Sequence, residues 1–208
     1  MTAQHGGAGA ALEGYSLSGK TDPQIMRELL GLSGVPAATV VRVLDEALTS
    51  YEALYLSRLP QTRVRPLPGA RELIARLSED RLASGVVPRP LLGILSGNLR
   101  GLIAPKLEAA GIPPPCFRVI ACGSDDPDRG NLPAIAARRA ELQLETRLAP
   151  GEVVIVGDTP ADIACARHFG ASSVAVATGD YNYQQLQASQ PDHVLATLLA
   201  WDDVKVGR

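Results

Sequence analysis

The chain has 208 residues and a mass of 21.9 kDa, which suits one domain of ordinary size or a core domain with a small insertion. Hydrophobic residues make up 46% of the sequence and charged residues 20%, a balance that disfavours a mainly disordered chain. The net charge of −2, without a basic stripe, argues against a nucleic-acid partner, and no apolar run reaches the length of a membrane span. Three scattered cysteines without a C-x-x-C pair predict a cytoplasmic protein with reduced thiols.

The first part of the chain predicts helices and no strand. Residues 1–18 are rich in Gly and Ala and carry no strand pattern. Thr21 and Gln24 have the spacing of a capping box, so a helix should begin there. A second helix is expected over residues 37–59, because its apolar residues recur at helical spacing. Residues 19–60 therefore predict a helical hairpin.

The pattern changes after a Pro- and Gly-containing break at residues 65–69. Short apolar segments predict strands at 91–95, 117–121, 153–156 and 173–177. Helical patterns separate them at 70–77, 99–110, 132–142 and 161–169, and a closing turn or helix is expected at 195–201. Wholly apolar strands that alternate with helices are typical of a parallel sheet covered on both faces, so the sequence predicts an α/β fold.

The strand ends are the places to look for function, because open parallel sheets bind ligands beyond the carboxyl ends of their strands. Ser96-Gly97-Asn98 follows the first predicted strand. A hydroxyl, a glycine and an amide before a helix could hold an anion, since the glycine admits backbone N–H groups and the helix presents its positive end. The alternative interpretation is a plain helix N-cap by Ser96 or Asn98.

Two carboxylates follow the third predicted strand. Asp158 comes directly after the apolar run Val-Ile-Val-Gly, and Asp162 lies four residues later in the first helical turn. Grouped carboxylates of this kind suit Mg²⁺, which takes a few of them together with phosphate and water. The alternative is that Asp158 or Thr159 caps the helix and Asp162 complements its dipole, which explains Asp162 better than Asp158.

The loop after the second predicted strand carries three acids around one arginine, Arg129. A guanidinium group at that strand end could bind a phosphate through two hydrogen bonds. For this loop alone, a solvated surface turn is the favoured interpretation.

Together these strand ends resemble the motifs of the haloacid dehalogenase superfamily, in its phosphoglycolate-phosphatase-like branch. Residues 94–98 resemble motif II, whose Ser or Thr holds the substrate phosphate, and residues 156–163 look like motif IV, whose acids hold Mg²⁺. Arg129 occupies the place of motif III, which steadies the nucleophile and the phosphate. Residues 19–65, which begin with Gly-Lys-Thr-Asp, are similar to the helical cap of that branch, and the resemblance covers roughly residues 15–200.

The resemblance implies a Mg²⁺-dependent phosphatase that acts on a small phosphorylated metabolite through an aspartyl-phosphate. It implies a Rossmann-like core over residues 66–208 and a small helical cap. Its site residues carry over as a phosphate-binding set and a metal-binding set: Ser96, Gly97, Asn98 and the catalytic Arg129 for phosphate, Asp158 and Asp162 for the metal.

Motif I of the superfamily, Asp-x-Asp at a strand end, has no counterpart before Gly19. By resemblance it supplies the nucleophile and the general acid and base, on a strand between those that end at Ser96 and Asp158. We therefore expect no nucleophile in this chain, a missing central strand, and a poorly structured remnant at residues 1–18. A misplaced start or an incomplete gene is the favoured explanation.

Two other functions stay open at this point. One is a non-catalytic protein that keeps the phosphate and Mg²⁺ sites. The other is a dehalogenase-type member of the same superfamily, which would not need the metal acids, so Asp158 and Asp162 count against it.

Overall fold

In the computed structural model, which describes residues 15–78 and 90–204, the chain begins with two packed helices, α1 (Asp22–Leu32) and α2 (Ala37–Arg58). Four buried apolar side chains form their interface: Met26, Leu30, Val40 and Leu44. Both helices lie where the sequence pattern predicted them. The expectation for residues 1–14 lies outside the described residues.

Thr21 caps α1 as predicted, because its hydroxyl accepts a hydrogen bond from the Gln24 N–H. The second half of the predicted capping box is wrong. The Gln24 side chain donates instead to Glu28, one helical turn further along, at 2.8 Å.

The rest of the described chain alternates helices and strands. The helices are α3 (Ala70–Ser78), α4 (Arg100–Ala109), α5 (Leu132–Leu144), α6 (Pro160–Phe169) and α7 (Tyr183–Ala188). The strands are β1 (Gly93–Ser96), β2 (Val119–Cys122), β3 (Val154–Gly157), β4 (Ser172–Val176) and β5 (His193–Leu195). Every strand pair is parallel. The predicted α/β class with a parallel, Rossmann-like core is confirmed.

The described strands form two separate sheets, β1–β2 and β3–β4–β5. Within them β1 pairs only with β2 and β3 only with β4, so each has one free edge. These strands are also the more exposed ones: Val156 of β3 is 43% exposed, whereas its register partner Val174 in β4 is 1% exposed. The expectation that the strands are buried on both faces therefore holds for β2 and β4, and it is wrong for β1 and β3.

The two sheets share a layer of helices. Helix α5 packs against β1 and β2, α6 packs against β3 and β4, and α5 and α6 contact each other. The free edges of β1 and β3 therefore face the same space, which we call the gap. No described residue forms a strand in it.

The sequence pattern missed β5 and α7. Asn182 and Gln185 form a capping box at the start of α7, a signal that was present in the sequence. Strand β5 ends at Leu195 and a 3₁₀ helix spans Leu198–Asp203, so only the later part of the predicted closing turn is correct. Among the described helices, none combines the length and the apolar character needed to cross a bilayer.

Candidate active site

The carboxyl ends of β1, β2 and β3 bring the predicted site residues to one edge of the core. Arg129 and Asp162 are in direct contact, with Nη2 and Oδ1 2.5 Å apart. The turn formed by residues 96–98 lies on the other side of the gap. Among the hydrogen bonds of the described residues, none joins this turn to Arg129, Asp158 or Asp162 directly.

Segment 19–22 links these two groups of residues. The Asp22 N–H donates to the Gly97 carbonyl at 2.7 Å. On the other side, Gly19 lies against Ala161 in the first turn of α6. The segment therefore crosses the carboxyl-terminal end of the gap.

Turn 96–98 is tightly packed between two backbone segments. A Cβ atom at Gly97 would collide with the Lys20 carbonyl, and one at Gly123 would collide with the Gly97 carbonyl. Only glycine fits at these two positions, so the backbone of the turn lies close to segment 19–22 on one side and to the loop after β2 on the other.

The backbone N–H groups at the start of α4 already have protein partners. The Asn98 N–H donates to Ser96 Oγ at 3.2 Å, the Leu99 N–H donates to the Asp22 carboxylate at 2.8 Å, and the Arg100 N–H donates to Ser124 Oγ at 2.9 Å. The interpretation of Ser96 or Asn98 as a plain helix N-cap is wrong, because the N-cap of α4 is Leu99 and neither of these side chains caps this helix. An incoming phosphate would have to share or replace the Ser96 contact.

Arg129 is held in place while one of its donors stays free. Its side chain is largely buried, and Nη2 binds Asp162. Its Nε is buried without a hydrogen-bond partner among the described residues. A buried, unpaired guanidinium donor is costly, and a phosphate oxygen is an acceptor that suits it.

Asp162 is fully engaged by its neighbours. Its Oδ2 accepts hydrogen bonds from the Thr159 N–H at 3.1 Å and from the Thr159 hydroxyl at 2.8 Å, while Oδ1 binds Arg129. Thr159 in turn caps α6 by accepting a bond from the Asp162 N–H. The capping interpretation thus accounts for Asp162, and the contact with Arg129 adds to it.

Asp158 is in a different environment. Burial, and next the negative charge of Asp162, raise the pKa of the Asp158 carboxyl above its ordinary value, although Arg129 acts in the opposite direction. Gly179 in the loop after β4 lies so close that a Cβ there would collide with the Asp158 carboxylate. Because burial is the largest cause of this raised pKa, a bound cation would stabilise the ionised Asp158 carboxylate.

These residues fit Mg²⁺ through Asp158. Within residues 15–78 and 90–204, no three His, Cys, Asp or Glu side chains are grouped so that they could hold a metal by themselves. Mg²⁺ does not need such a group, because it commonly takes one or two carboxylates together with phosphate oxygens and water. Asp158 can supply the first of these ligands, while Asp162 is occupied by Arg129 and Thr159.

Sequence reasoning missed Asp22 and Lys106. Asp22 is only 8% exposed, and its carboxylate lies at the start of α4. Lys106 Nζ donates to Asn98 Oδ1 at 2.7 Å. No local signal distinguishes these two residues, because Asp22 has the pattern of an ordinary first helical residue and only the tertiary fold brings it to Asn98.

Comparisons with known proteins support the fold and the resemblance seen in the sequence. A family model described as HAD-hydrolase-like matches residues 129–201. Phosphoglycolate phosphatase from Synechococcus elongatus is 35% identical over 132 residues, a match that covers 62% of this chain and 54% of that protein. This chain thus spans about half the length of that curated relative.

Two solved structures share the fold. A hydrolase from Pseudomonas syringae matches with a TM-score of 0.57 and 20% identity over 78% of this chain and 72% of that chain. A conserved haloacid-dehalogenase-like protein of unknown function from Agrobacterium tumefaciens matches with a TM-score of 0.53 and 18% identity, over 97% of this chain and 84% of that chain. At these identities the likeness shows the fold alone.

The parallel core, the residues at its strand ends and the family match over residues 129–201 together define a likeness to the haloacid dehalogenase superfamily. Within that superfamily, the chain is similar to the phosphoglycolate phosphatase of Synechococcus elongatus, which supports the resemblance to the phosphoglycolate-phosphatase-like branch. The resemblance seen in the motifs is thereby confirmed.

Proposed function

We propose that this chain carries the phosphate- and metal-binding part of a Mg²⁺-dependent phosphatase for small phosphate monoesters. The observation that carries the proposal is the meeting of Arg129 with the acids after β3. The Arg129 guanidinium, whose buried Nε has no partner among the described residues, contacts Asp162, and its charge also acts on the partly buried Asp158 carboxyl at the carboxyl end of a parallel sheet. This pair of groups suits a phosphate bound together with a cation.

Each residue of the site has a proposed role. The Ser96 hydroxyl and the N–H groups of Gly97 and Asn98 bind the phosphoryl group, and Arg129 offsets its charge. Asp158 holds Mg²⁺, which when bound stabilises the negative charge that develops on the phosphoryl oxygens. Asp162 contributes by fixing the Arg129 guanidinium and the first turn of α6.

The nucleophile of the proposed reaction is not among the site residues described above. We propose that it is an aspartate at the end of a strand that fills the gap, and that it forms an aspartyl-phosphate. In this proposal residues 19–65, which include α1 and α2, act as a cap that closes over the site. The reaction takes place in the cytoplasm, where the free cysteines stay reduced.

The experiment is a calorimetric titration of the chain with inorganic phosphate, with and without Mg²⁺. We expect saturable binding that strengthens with Mg²⁺. Asp158→Asn should remove the Mg²⁺ effect, and Arg129→Met should weaken phosphate binding even without Mg²⁺. Asp45→Asn, an exposed acid on α2, is the control and should bind as the parent chain does.

The outcomes separate the candidate functions. Phosphate binding by this chain, together with release of phosphate from p-nitrophenyl phosphate once an aspartate-bearing strand is added in the gap, supports a phosphatase. Binding without release even when that strand is added favours the non-catalytic alternative, which the absence of a strand in the gap among residues 15–78 and 90–204 also fits. No phosphate binding under either condition contradicts the proposal.

A further inference from the structure

The helical hairpin is attached to turn 96–98 by a network of polar groups that joins the buried Asp22 to the half-buried Asn98 and Lys106. Asp22, the first residue of α1, accepts a hydrogen bond from the Leu99 N–H at 2.8 Å. The Asn98 side-chain nitrogen lies 3.5 Å from both carboxylate oxygens of Asp22. Asp22 and Asn98 are 76 residues apart in the chain, so these contacts form only through the tertiary fold.

The Asn98 amide is held from both sides, and the two partners fix its orientation. Lys106 Nζ can only donate, so it must face the amide oxygen, 2.7 Å away. The ionised Asp22 carboxylate can only accept, so it must face the amide nitrogen. A carboxylate, an amide and an ammonium group thus form a continuous chain from α1 through the turn to α4.

The second helix of the hairpin joins the same network. Lys106 Nζ lies over the ring of Tyr55 in α2, 4.4 Å from the ring centroid, a geometry that favours cation–π attraction. Burial raises the pKa of the Asp22 carboxyl, while the Leu99 N–H and the Lys106 charge act against that shift. The buried charge of Asp22 is therefore tied to its partners, and moving the hairpin away would leave it unpaired.

We propose that Asp22 is a positioning residue: with Lys106 it fixes Asn98 and thereby couples the place of the helical hairpin to the shape of turn 96–98. The inference rests on the proposed function insofar as turn 96–98 binds phosphate. The mechanical link passes through the Asn98 N–H, which donates to Ser96 Oγ. When the hairpin packs against turn 96–98, these contacts order the turn. When the hairpin moves away, the turn loses its contacts with Asp22 at the Leu99 N–H and the Asn98 side chain.

The test combines Asp22→Asn, Lys106→Met and the double variant, with Asp45→Asn as the control. Inorganic phosphate with Mg²⁺ is the titrant, and the unfolding midpoint of each variant is measured beside its Kd. We expect each single variant to weaken phosphate binding roughly tenfold, within the usual range of coupling between sites. The double variant should lose little more than one single variant, because both residues act through Asn98.

A merely structural role would lower the unfolding midpoint of the variants and leave the phosphate Kd unchanged, which would overturn the inference. Additive losses in the double variant, or tighter binding by Asp22→Asn, would also overturn it. If Asp22→Asn does not fold, Lys106→Met with Tyr55→Leu tests the same link from its other end, with the same expected loss and non-additivity.

Amide hydrogen exchange separates this inference from the proposed function, because it needs no ligand. Asp22→Asn should speed exchange at the Leu99 and Arg100 amides at least tenfold while leaving β4 unchanged. If exchange speeds up and no variant binds phosphate, the coupling stands and the proposed function fails. If these amides exchange at the same rate in Asp22→Asn as in Asp45→Asn, the coupling is contradicted, whatever the phosphate titrations give.

Discussion

At the scale of single residues, Asp125 shows how much of this molecule depends on side chains that meet only in the folded state. Its carboxylate accepts from the Cys122 N–H at 2.9 Å, from Arg100 at 2.6 Å and from Arg139 at 2.8 Å. The interpretation of its loop as a solvated surface turn is wrong for Asp125, which is largely buried. It ties α4 and α5 to the end of β2.

We expect Asp125→Asn to lower the free energy of unfolding by about 2 kcal/mol at pH 7, because two arginines lose a charged acceptor. The hydrogen bond from Arg139 is the main reason that the pKa of Asp125 lies well below its ordinary value of 3.8. A carboxyl group whose pKa is lower in the folded state than in the unfolded state stabilises the fold fully at a pH above the unfolded-state pKa. This contribution is lost as the pH falls from the unfolded-state pKa through the folded-state pKa.

Urea unfolding of the parent and of Asp125→Asn between pH 7 and pH 3 is the measurement. The difference between the two proteins should be full at neutral pH and should narrow below about pH 4. Asp45→Asn should stay within about 0.5 kcal/mol of the parent, as expected for an exposed acid. A difference that does not depend on pH would contradict this account of Asp125.

Gly179 provides a second prediction at this scale. Because a Cβ there would collide with the Asp158 carboxylate, Gly179→Ala should displace that carboxylate and weaken Mg²⁺ binding roughly tenfold. Titration of Mg²⁺ in the presence of phosphate measures the effect. Gly151→Ala is the control, since nothing lies within 4 Å of the added atom there. Equal Mg²⁺ affinities for the two variants would count against Asp158 as the ligand.

The site residues could be predicted in part because their signals are local. Ser96, Arg129 and Asp158 each follow a strand, and a residue type at a strand end can be recognised without knowing the fold. The roles of Asp22 and Lys106 could not be predicted in this way, because their importance comes from Asn98, which is distant from Asp22 in the chain. The same holds for the contact between Arg129 and Asp162, which sequence alone treats as separate residues of two motifs.

At the scale of elements, α6 depends on its cap. The Thr159 hydroxyl accepts from the Asp162 N–H and donates to the Asp162 carboxylate. Thr159→Ala should therefore lower the free energy of unfolding by about 1 kcal/mol. Because it also removes one of the two hydrogen bonds to Asp162 Oδ2, it should loosen the Asp162 carboxylate and weaken phosphate binding through Arg129.

Asn182→Ala is the matched control for that prediction, since Asn182 caps α7 by the same capping-box geometry away from the gap. It should cost a similar amount of stability and leave the phosphate Kd unchanged. Chemical denaturation beside calorimetry separates the two effects. If both variants change phosphate affinity equally, the link from Thr159 through Asp162 to Arg129 is contradicted.

The helices were predicted more closely than the strands. Helix α2 was expected over residues 37–59 and spans Ala37–Arg58, because apolar spacing and caps are local properties of the sequence. Strand β1 was expected at 91–95 and spans Gly93–Ser96, since a short apolar run marks burial but not register. Strand β5 has three residues and owes its structure to pairing with β4, so no local pattern marks it.

At the scale of the whole molecule, the gap is the dominant feature. No strand of the described part of the chain pairs with the two parallel edges that face it, and an exposed valine, Val156, lies on one of them. Unpaired backbone groups on sheet edges invite association with other chains. The resemblance to the superfamily predicted the place of this gap, between the strands that end at Ser96 and Asp158, and composition or periodicity could not have done so.

We expect a strand supplied to the gap to stabilise the molecule. A version of the chain extended at its N-terminus by an apolar strand ending in Asp-x-Asp should pair with β1 and β3, raise the unfolding midpoint and reduce self-association. Thermal unfolding and sedimentation measure these changes. A scrambled extension of the same composition is the control, and equal effects of the two extensions would mean that the strand does not enter the gap.

The most direct test of the proposed function, in which the described residues bind phosphate and Mg²⁺ and a further strand brings the nucleophile, uses that extended chain. Hydrolysis of p-nitrophenyl phosphate is measured with and without Mg²⁺, beside a control extension that ends in Asn-x-Asn. We predict Mg²⁺-dependent hydrolysis with Asp-x-Asp, and equal stability without hydrolysis for Asn-x-Asn or for Asp158→Asn in the extended chain. Hydrolysis that survives either change, or its absence from a stable Asp-x-Asp chain that binds phosphate, would contradict the account.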